Sequence, residues 1–211
     1  MALILHGYRY SVYLRIVRLV LAEKGVGYER VEVNPFAPDR PASYLALHPF
    51  GRVPVLDHDG FVLYETNAIA RYIDRALEGP ALQPTAPQAL ARMDQIVAVV
   101  DSYGYWPMVR QVFSQRVFRA RLGTAPDEAE IARGLEGSAK VLAALEALAA
   151  DTDFLVGSDI SLADFHLGAM VAYFMQAPEA AAVLAQYPRL SRWWARLSVR
   201  PSMIASDPGL P

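Results

Sequence analysis

The sequence predicts an α/β N-terminal domain followed by an all-α C-terminal helical bundle domain. Three observations predict it. Strand-like and helix-like segments alternate through residues 1–79, in the order βαβ and then ββα. Three prolines punctuate residues 80–87, which read as a linker. Across residues 88–211 the apolar positions recur at helical spacing, with no convincing strand.

Residues 2–5 are a short apolar run closed by Gly7, as in a buried strand. Leu14, Val17, Val20 and Leu21 make the stripe of a first helix, and Gly25 stands where a C-cap belongs. Residues 28–33 have strand composition. Pro35, Pro38 and Pro41 then break regular structure before a short helix at 44–47. Two strands, 53–56 and 61–64, are joined by Asp57-His58-Asp59-Gly60, whose D-G pair signals a hairpin. The helix after Glu65 carries Ile69, Tyr72, Ile73 and Leu77 on one face and stops at Gly79-Pro80. Beyond the linker, a long helical stretch at 88–118 holds Pro107 as a kink or break. A second helix spans 127–150, with Pro126 before it and an acidic first turn. Further helices start near Ser161 and Pro188, and the tail from Asp207 is expected to be loose.

Composition excludes several classes. Apolar residues make up 54% of the 211, enough for a substantial core. A net charge of -2 offers no drive towards nucleic acid or an anionic membrane. No stretch approaches the roughly 18 apolar residues of a membrane span. The apolar start lacks a basic leader, so a soluble cytoplasmic protein is expected. There is no cysteine, hence no disulfide framework, cysteine zinc site or protein thiol. Any thiol chemistry must use a sulfur carried by a small molecule. His6, His48, His58 and His166 share no metal-ligand spacing, so no metal site is expected.

Arg52-Val53-Pro54-Val55-Leu56 is the sharpest local feature. Proline cannot donate to a sheet ladder, so Pro54 implies either an edge strand or a cis Val53-Pro54 bond. With the cis bond, the Val53 backbone faces solvent and can pair with a bound peptide like an added strand. Thr66, at the next strand-to-helix junction, offers a hydroxyl and free helix N–H groups to a carboxylate. Glu65 beside it can accept from an ammonium. The pair suits the α-amino-acid end of a ligand, and equally an ordinary N-cap beside a solvated glutamate.

Taken together, His48-Pro49-Phe50-Gly51-Arg52-Val53-Pro54-Val55-Leu56 and Tyr64-Glu65-Thr66-Asn67-Ala68-Ile69 resemble the N-domain of the glutathione S-transferase superfamily. Gly157-Ser158-Asp159-Ile160-Ser161-Leu162-Ala163-Asp164-Phe165 is similar to that family's buried capping box, in which Ser161 and Asp164 satisfy each other's backbone N–H groups. The likeness runs from about residue 2 to residue 200. It implies a thioredoxin-like N-domain with glutathione as co-substrate. The Val53 backbone, beside Pro54, would pair with the cysteinyl part, and Glu65 and Thr66 would hold the γ-glutamyl end. Arg52, and less directly Arg40, would reach the glycyl end.

The resemblance also places a thiolate-stabilising hydroxyl in the first loop or helix turn, where the candidates are Ser11, Tyr10 and Tyr8. Ser11 falls where serine-type classes place their catalytic serine, and it is also a good N-cap residue. Ser11-Val12-Tyr13 departs from the S-P or S-S-C common in those classes. Tyr13, Tyr103, Trp106 and Met108 fall near the family's electrophile site, though core packing or dimer contact explains such aromatics as well. The implied activity is attack of the glutathione thiolate on a small hydrophobic electrophile, by a homodimer. Alternatives are a glutathione-dependent isomerase, with some likeness to the maleylacetoacetate isomerase branch, or a peroxidase. A non-catalytic regulatory or assembly module of the same fold is the alternative of another class.

Overall fold

The computed structural model describes residues 2–38 and 41–209. The chain divides into two compact units. One comprises Met1–Ala81 with Ala205–Pro208, the other Leu82–Ile204 with Gly209–Pro211.

In the first unit the elements are β1 (Leu3–Gly7), α1 (Val12–Lys24), β2 (Glu29–Glu32), α2 (Ala42–Leu47), β3 (Val55–His58), β4 (Phe61–Tyr64) and α3 (Thr66–Ala76). The four strands form one sheet in the order β2-β1-β3-β4, with β1 and β2 parallel and the other pairs antiparallel. This is the thioredoxin-like arrangement. Leu3 and Leu5 of β1 and Val55 and Leu56 of β3 are buried. So are Leu14, Val17 and Leu21 of α1 and Ile69 and Ile73 of α3, and the two helices pack on each other. Gly7 allows the first turn of α1 to sit on the end of β1: a Cβ there would lie 2.4 Å from Leu14 Cδ1. Gly25 ends α1 at φ 68°, its N–H returning to the carbonyls of Ala22 and Leu21. The β3–β4 hairpin turns at Asp59 and Gly60, both at positive φ. That pair of angles is what a two-residue D-G hairpin requires.

The edge-strand reading of Pro54 is overturned. β3 lies inside the sheet, but it begins at Val55, after a cis Val53-Pro54 bond. The missing N–H of Pro54 therefore falls outside the ladder.

The second unit holds α4 (Pro87–Val99), π-helical segments Val100–Gly104 and Trp106–Phe118, α5 (Arg119–Arg121), α6 (Glu128–Leu148), α7 (Leu162–Phe174), α8 (Ala180–Leu184), α9 (Pro188–Leu197) and α10 (Pro201–Ala205). No strand occurs among its described residues. Of the kink or break expected at Pro107, the break does not occur. The chain continues through it in wider π turns, with Tyr105 N–H bonded to Val100 C=O. Such turns shift each acceptor by one residue and relieve the clash of a proline ring with the preceding turn. Two glycines of α6 meet this region closely: a Cβ on Gly134 would lie 3.0 Å from the Pro107 carbonyl oxygen, and one on Gly137 3.0 Å from Pro107 Cβ.

α7 is apolar around its circumference except for its cap, His166 and Tyr173. Ser161 and Asp164 form the capping box. The Asp164 carboxylate, 0% exposed, accepts from Ser161 N–H and Oγ, both at 2.8 Å. It also accepts from Leu155 N–H at 3.0 Å and from Trp193 Nε1 of α9 at 2.8 Å. Burial pushes the Asp164 pKa up, and these four hydrogen bonds oppose that shift. Within the tail expected to be loose from Asp207, Pro208 is buried in the first unit.

Asp164→Ala strands four donors in a dry interior, each costing about 1–3 kcal/mol. The variant is expected to lose at least about 3 kcal/mol and roughly 10 °C of Tm in thermal unfolding. A loss of less than about 1 kcal/mol would show that the box does not hold the helical unit together.

Candidate active site

The sheet register decides where the site lies. His6 of β1 pairs with Val55 of β3, and Val55 pairs with Tyr64 of β4. The C-terminal end of β1, the start of β3 and the C-terminal end of β4 therefore meet on one edge of the sheet. α1 and α3 both start there, because each follows one of the two mutually parallel strands β1 and β4. Two helix N-termini bring their free N–H groups and positive dipole ends to that edge, which favours a bound anion.

Ser11 is the N-cap of α1. Its backbone is extended, with φ -75° and ψ 122°, and its Oγ accepts from Leu14 N–H at 3.2 Å. The cap uses an acceptor lone pair and leaves the hydroxyl hydrogen available. Among the described residues that hydrogen has no acceptor. Capping and catalysis are thus compatible at one oxygen.

Tyr8 and Tyr10 precede Ser11, and Tyr8 C=O accepts the Ser11 N–H at 2.9 Å. Their rings meet edge to face at 5.5 Å, and Phe36 approaches Tyr8 at 5.8 Å in the same manner. Burial, then the neighbouring Tyr10 and Glu32, push the Tyr8 pKa up, so its phenol stays protonated. Phe36 is 68% exposed, and nothing in its local sequence pattern drew notice to it.

Val53 lies on the same edge. Among the described residues neither its N–H nor its C=O is hydrogen-bonded. Tyr44 of α2 donates its hydroxyl to the Arg52 carbonyl, which fixes the peptide leading into Val53. Arg52 itself is exposed, and Arg40 lies outside the described residues.

Glu65 is the N-cap of α3 at φ 73° and ψ 117°, a left-handed setting unusual for a residue with a side chain. Thr66 opens the helix, 6% exposed, and its hydroxyl has no partner among the described residues. Behind them His48, 2% exposed, stacks on Tyr64 with ring centroids 4.7 Å apart. Burial lowers the His48 pKa, against the pull of Glu65 and together with the push of Arg52. His48 is therefore a buried, neutral ring stacked on Tyr64, which its place in the sequence motif did not reveal.

The expected electrophile residues differ in exposure. Tyr13 is half-buried in the first turn of α1. In the helical unit Tyr103 and Trp106 are 65% and 60% exposed, whereas Met108 is fully buried. No cluster of three or more potential metal-ligating side chains occurs among the described residues.

Residues 1–75 match the model of the glutathione S-transferase N-terminal domain, and residues 105–201 that of its C-terminal domain. Glutathione S-transferase F13 of Arabidopsis thaliana is 31% identical over 213 aligned residues, spanning 100% of this chain and 97% of its own. The chain belongs to the glutathione S-transferase family. Among solved structures, glutathione S-transferase III in its apo form superposes with a TM-score of 0.85 at 33% identity, over 98% of this chain and 95% of that one. The theta class glutathione S-transferase of Xanthomonas axonopodis pv. citri, solved with glutathione bound, gives 0.82 at 31% identity, over 97% and 96%.

The Glu65 backbone yields a stability test. A side chain held at such an angle costs on the order of 1–3 kcal/mol, which glycine avoids at an entropic cost of about 0.5–1. Glu65→Gly is expected to raise stability by about 1 kcal/mol, or 2–4 °C in Tm. A fall in Tm would show that the Glu65 side chain stabilises the fold instead of serving the site.

Proposed function

We propose that this chain is a glutathione S-transferase whose Ser11 hydroxyl holds the glutathione thiol as a thiolate. The single observation that carries the reading is the Ser11 hydroxyl hydrogen at a helix N-terminus, without an acceptor among the described residues, on the edge that also presents the Val53 backbone, unpaired among them, and the Glu65–Thr66 pair. In this reading Val53 N–H and C=O pair with the cysteinyl backbone. The Thr66 hydroxyl and the first N–H groups of α3 receive the γ-glutamyl carboxylate, and Glu65 accepts from its ammonium. Arg52 faces the glycyl carboxylate.

A free thiol titrates near 8.5, leaving only a few per cent ionised at neutral pH. A hydrogen bond donated to a charged group contributes about 1.5–3 kcal/mol, and a helix N-terminus about 0.3–1. At about 1.4 kcal/mol per pKa unit, these bring the thiol to roughly 6–7. The thiol proton leaves to solvent. The sulfur lone pair then forms a C–S bond to the electrophilic carbon, and the leaving group departs with its electron pair. In the helical unit, Tyr103 and Trp106 are the exposed side chains we assign to the apolar electrophile. Met108, fully buried, serves packing. The isomerase, peroxidase and non-catalytic alternatives are set aside, because the relatives described above are named as transferases. A cytoplasmic homodimer completes the proposal.

Ser11→Ala is expected to lower kcat by about 10- to 100-fold while glutathione KM stays within a few-fold. Losing the cap also costs about 1 kcal/mol, so rates should be read well below Tm. Absorbance of the bound thiolate at neutral pH should disappear. Retained turnover and thiolate would assign the donor to Tyr8 or Tyr10.

A further inference from the structure

Three arginines near the start of α1 converge on one backbone segment from the far end of the chain. Arg18 Nη1 donates to the Ser206 carbonyl at 3.0 Å, and its Nη2 to the Ala205 carbonyl at 3.3 Å. Arg15, 3% exposed, donates through Nε to Ser206 Oγ at 3.3 Å. Arg9 Nε donates to the Pro208 carbonyl at 2.9 Å. Residues 205–208 therefore run antiparallel to α1, from Arg18 up to the loop that holds Tyr8 and Tyr10. They belong to the same compact unit as that loop.

Arg9 is where this strap meets the site. Its N–H donates to Glu32 Oε1 at the end of β2, at 2.8 Å. Its guanidinium lies over the Tyr10 ring, 5.4 Å from the centroid. The loop is held from β2 through its backbone and from Pro208 through its side chain. Two residues later comes Ser11, whose N–H is bonded to Tyr8 C=O inside the same loop.

Guanidinium groups bound to carbonyls form charge-assisted hydrogen bonds, stronger than neutral ones. A loop with few buried apolar contacts opens locally unless such bonds hold it. A donor that must meet a sulfur atom tolerates little displacement, since a misplacement of about 1 Å can cost about 100-fold in rate. We infer that Arg9 and the strap Ala205–Pro208 are positioning elements that hold the Ser11 hydroxyl in register with the thiolate, Arg9 being the positioning residue. The inference rests on the glutathione reading above. It makes no use of an Arg9 contact with substrate.

The test compares wild type, Arg9→Ala, Arg9→Lys and a variant lacking residues 207–211, all as full proteins apart from that deletion. The readouts are the pKa of bound glutathione from thiolate absorbance, kcat and glutathione KM, and hydrogen exchange across residues 8–14. Arg9→Ala should raise the bound-thiol pKa by about one unit and lower kcat about tenfold, with KM within about twofold. Exchange across the loop should quicken. The deletion leaves the Arg9 charge in place and should give the same shift, which separates positioning from simple electrostatics. Arg9→Lys, still able to reach a carbonyl, should recover part of the effect. Folded Arg9→Ala and deletion variants with wild-type thiol pKa and loop exchange would overturn the inference alone. A shift in Arg9→Ala that the deletion does not reproduce would overturn it in favour of a charge effect. A wild-type protein that ionises no bound thiol would overturn the glutathione reading and this inference together.

Discussion

Antiparallel pairing of β3 with both β1 and β4 is the constraint on which the site depends. It makes β1 and β4 parallel, so the helices that follow them start on the same side of the sheet. It also puts the start of β3, with its unpaired Val53 backbone, between those starts. An anion-favouring edge follows from topology before any side chain is considered. Ser11, Glu65 and Thr66 then add chemistry to positions the backbone has already gathered. Gly7 contributes by letting the Ser11 turn approach the end of β1 without a clash.

Each unit is closed by a polar group with several partners. In the first, the Lys24 ammonium donates to the carbonyls of Asp74, Gly79 and Pro80 and to the Asp74 carboxylate, tying the ends of α1 and α3 together. In the second, Asp164 gathers donors from Leu155, Ser161 and Trp193. A buried charge is tolerated where its bonding capacity is met, and it then fixes the geometry of the elements that supply the partners. That rigidity matters because Ser11 and Thr66 act through hydrogen bonds whose strength falls quickly with distance and angle.

Much of this was legible in the sequence, for local reasons. Gly25, Asp59-Gly60 and the Ser161–Asp164 box act within a few residues, so their roles follow from spacing. Pro54 was half legible. Local pattern allowed two backbones, and the interior place of β3 separated them, which depends on pairing between distant strands. The anchoring of Pro208 is not legible locally, because its partner Arg9 reads in a sequence as an ordinary surface charge. At Pro107 the chain stays helical because π turns accommodate a proline ring, which α periodicity alone does not show. His48 and Phe36 gain their meaning only from the rings beside them.

A crystal structure of the protein with glutathione tests the central claim most directly. The account predicts the sulfur within hydrogen-bond distance of Ser11 Oγ, the cysteinyl backbone paired with Val53, and the γ-glutamyl group on Glu65 and Thr66. A tripeptide bound elsewhere, or a sulfur turned to Tyr8 or Tyr10, would contradict it.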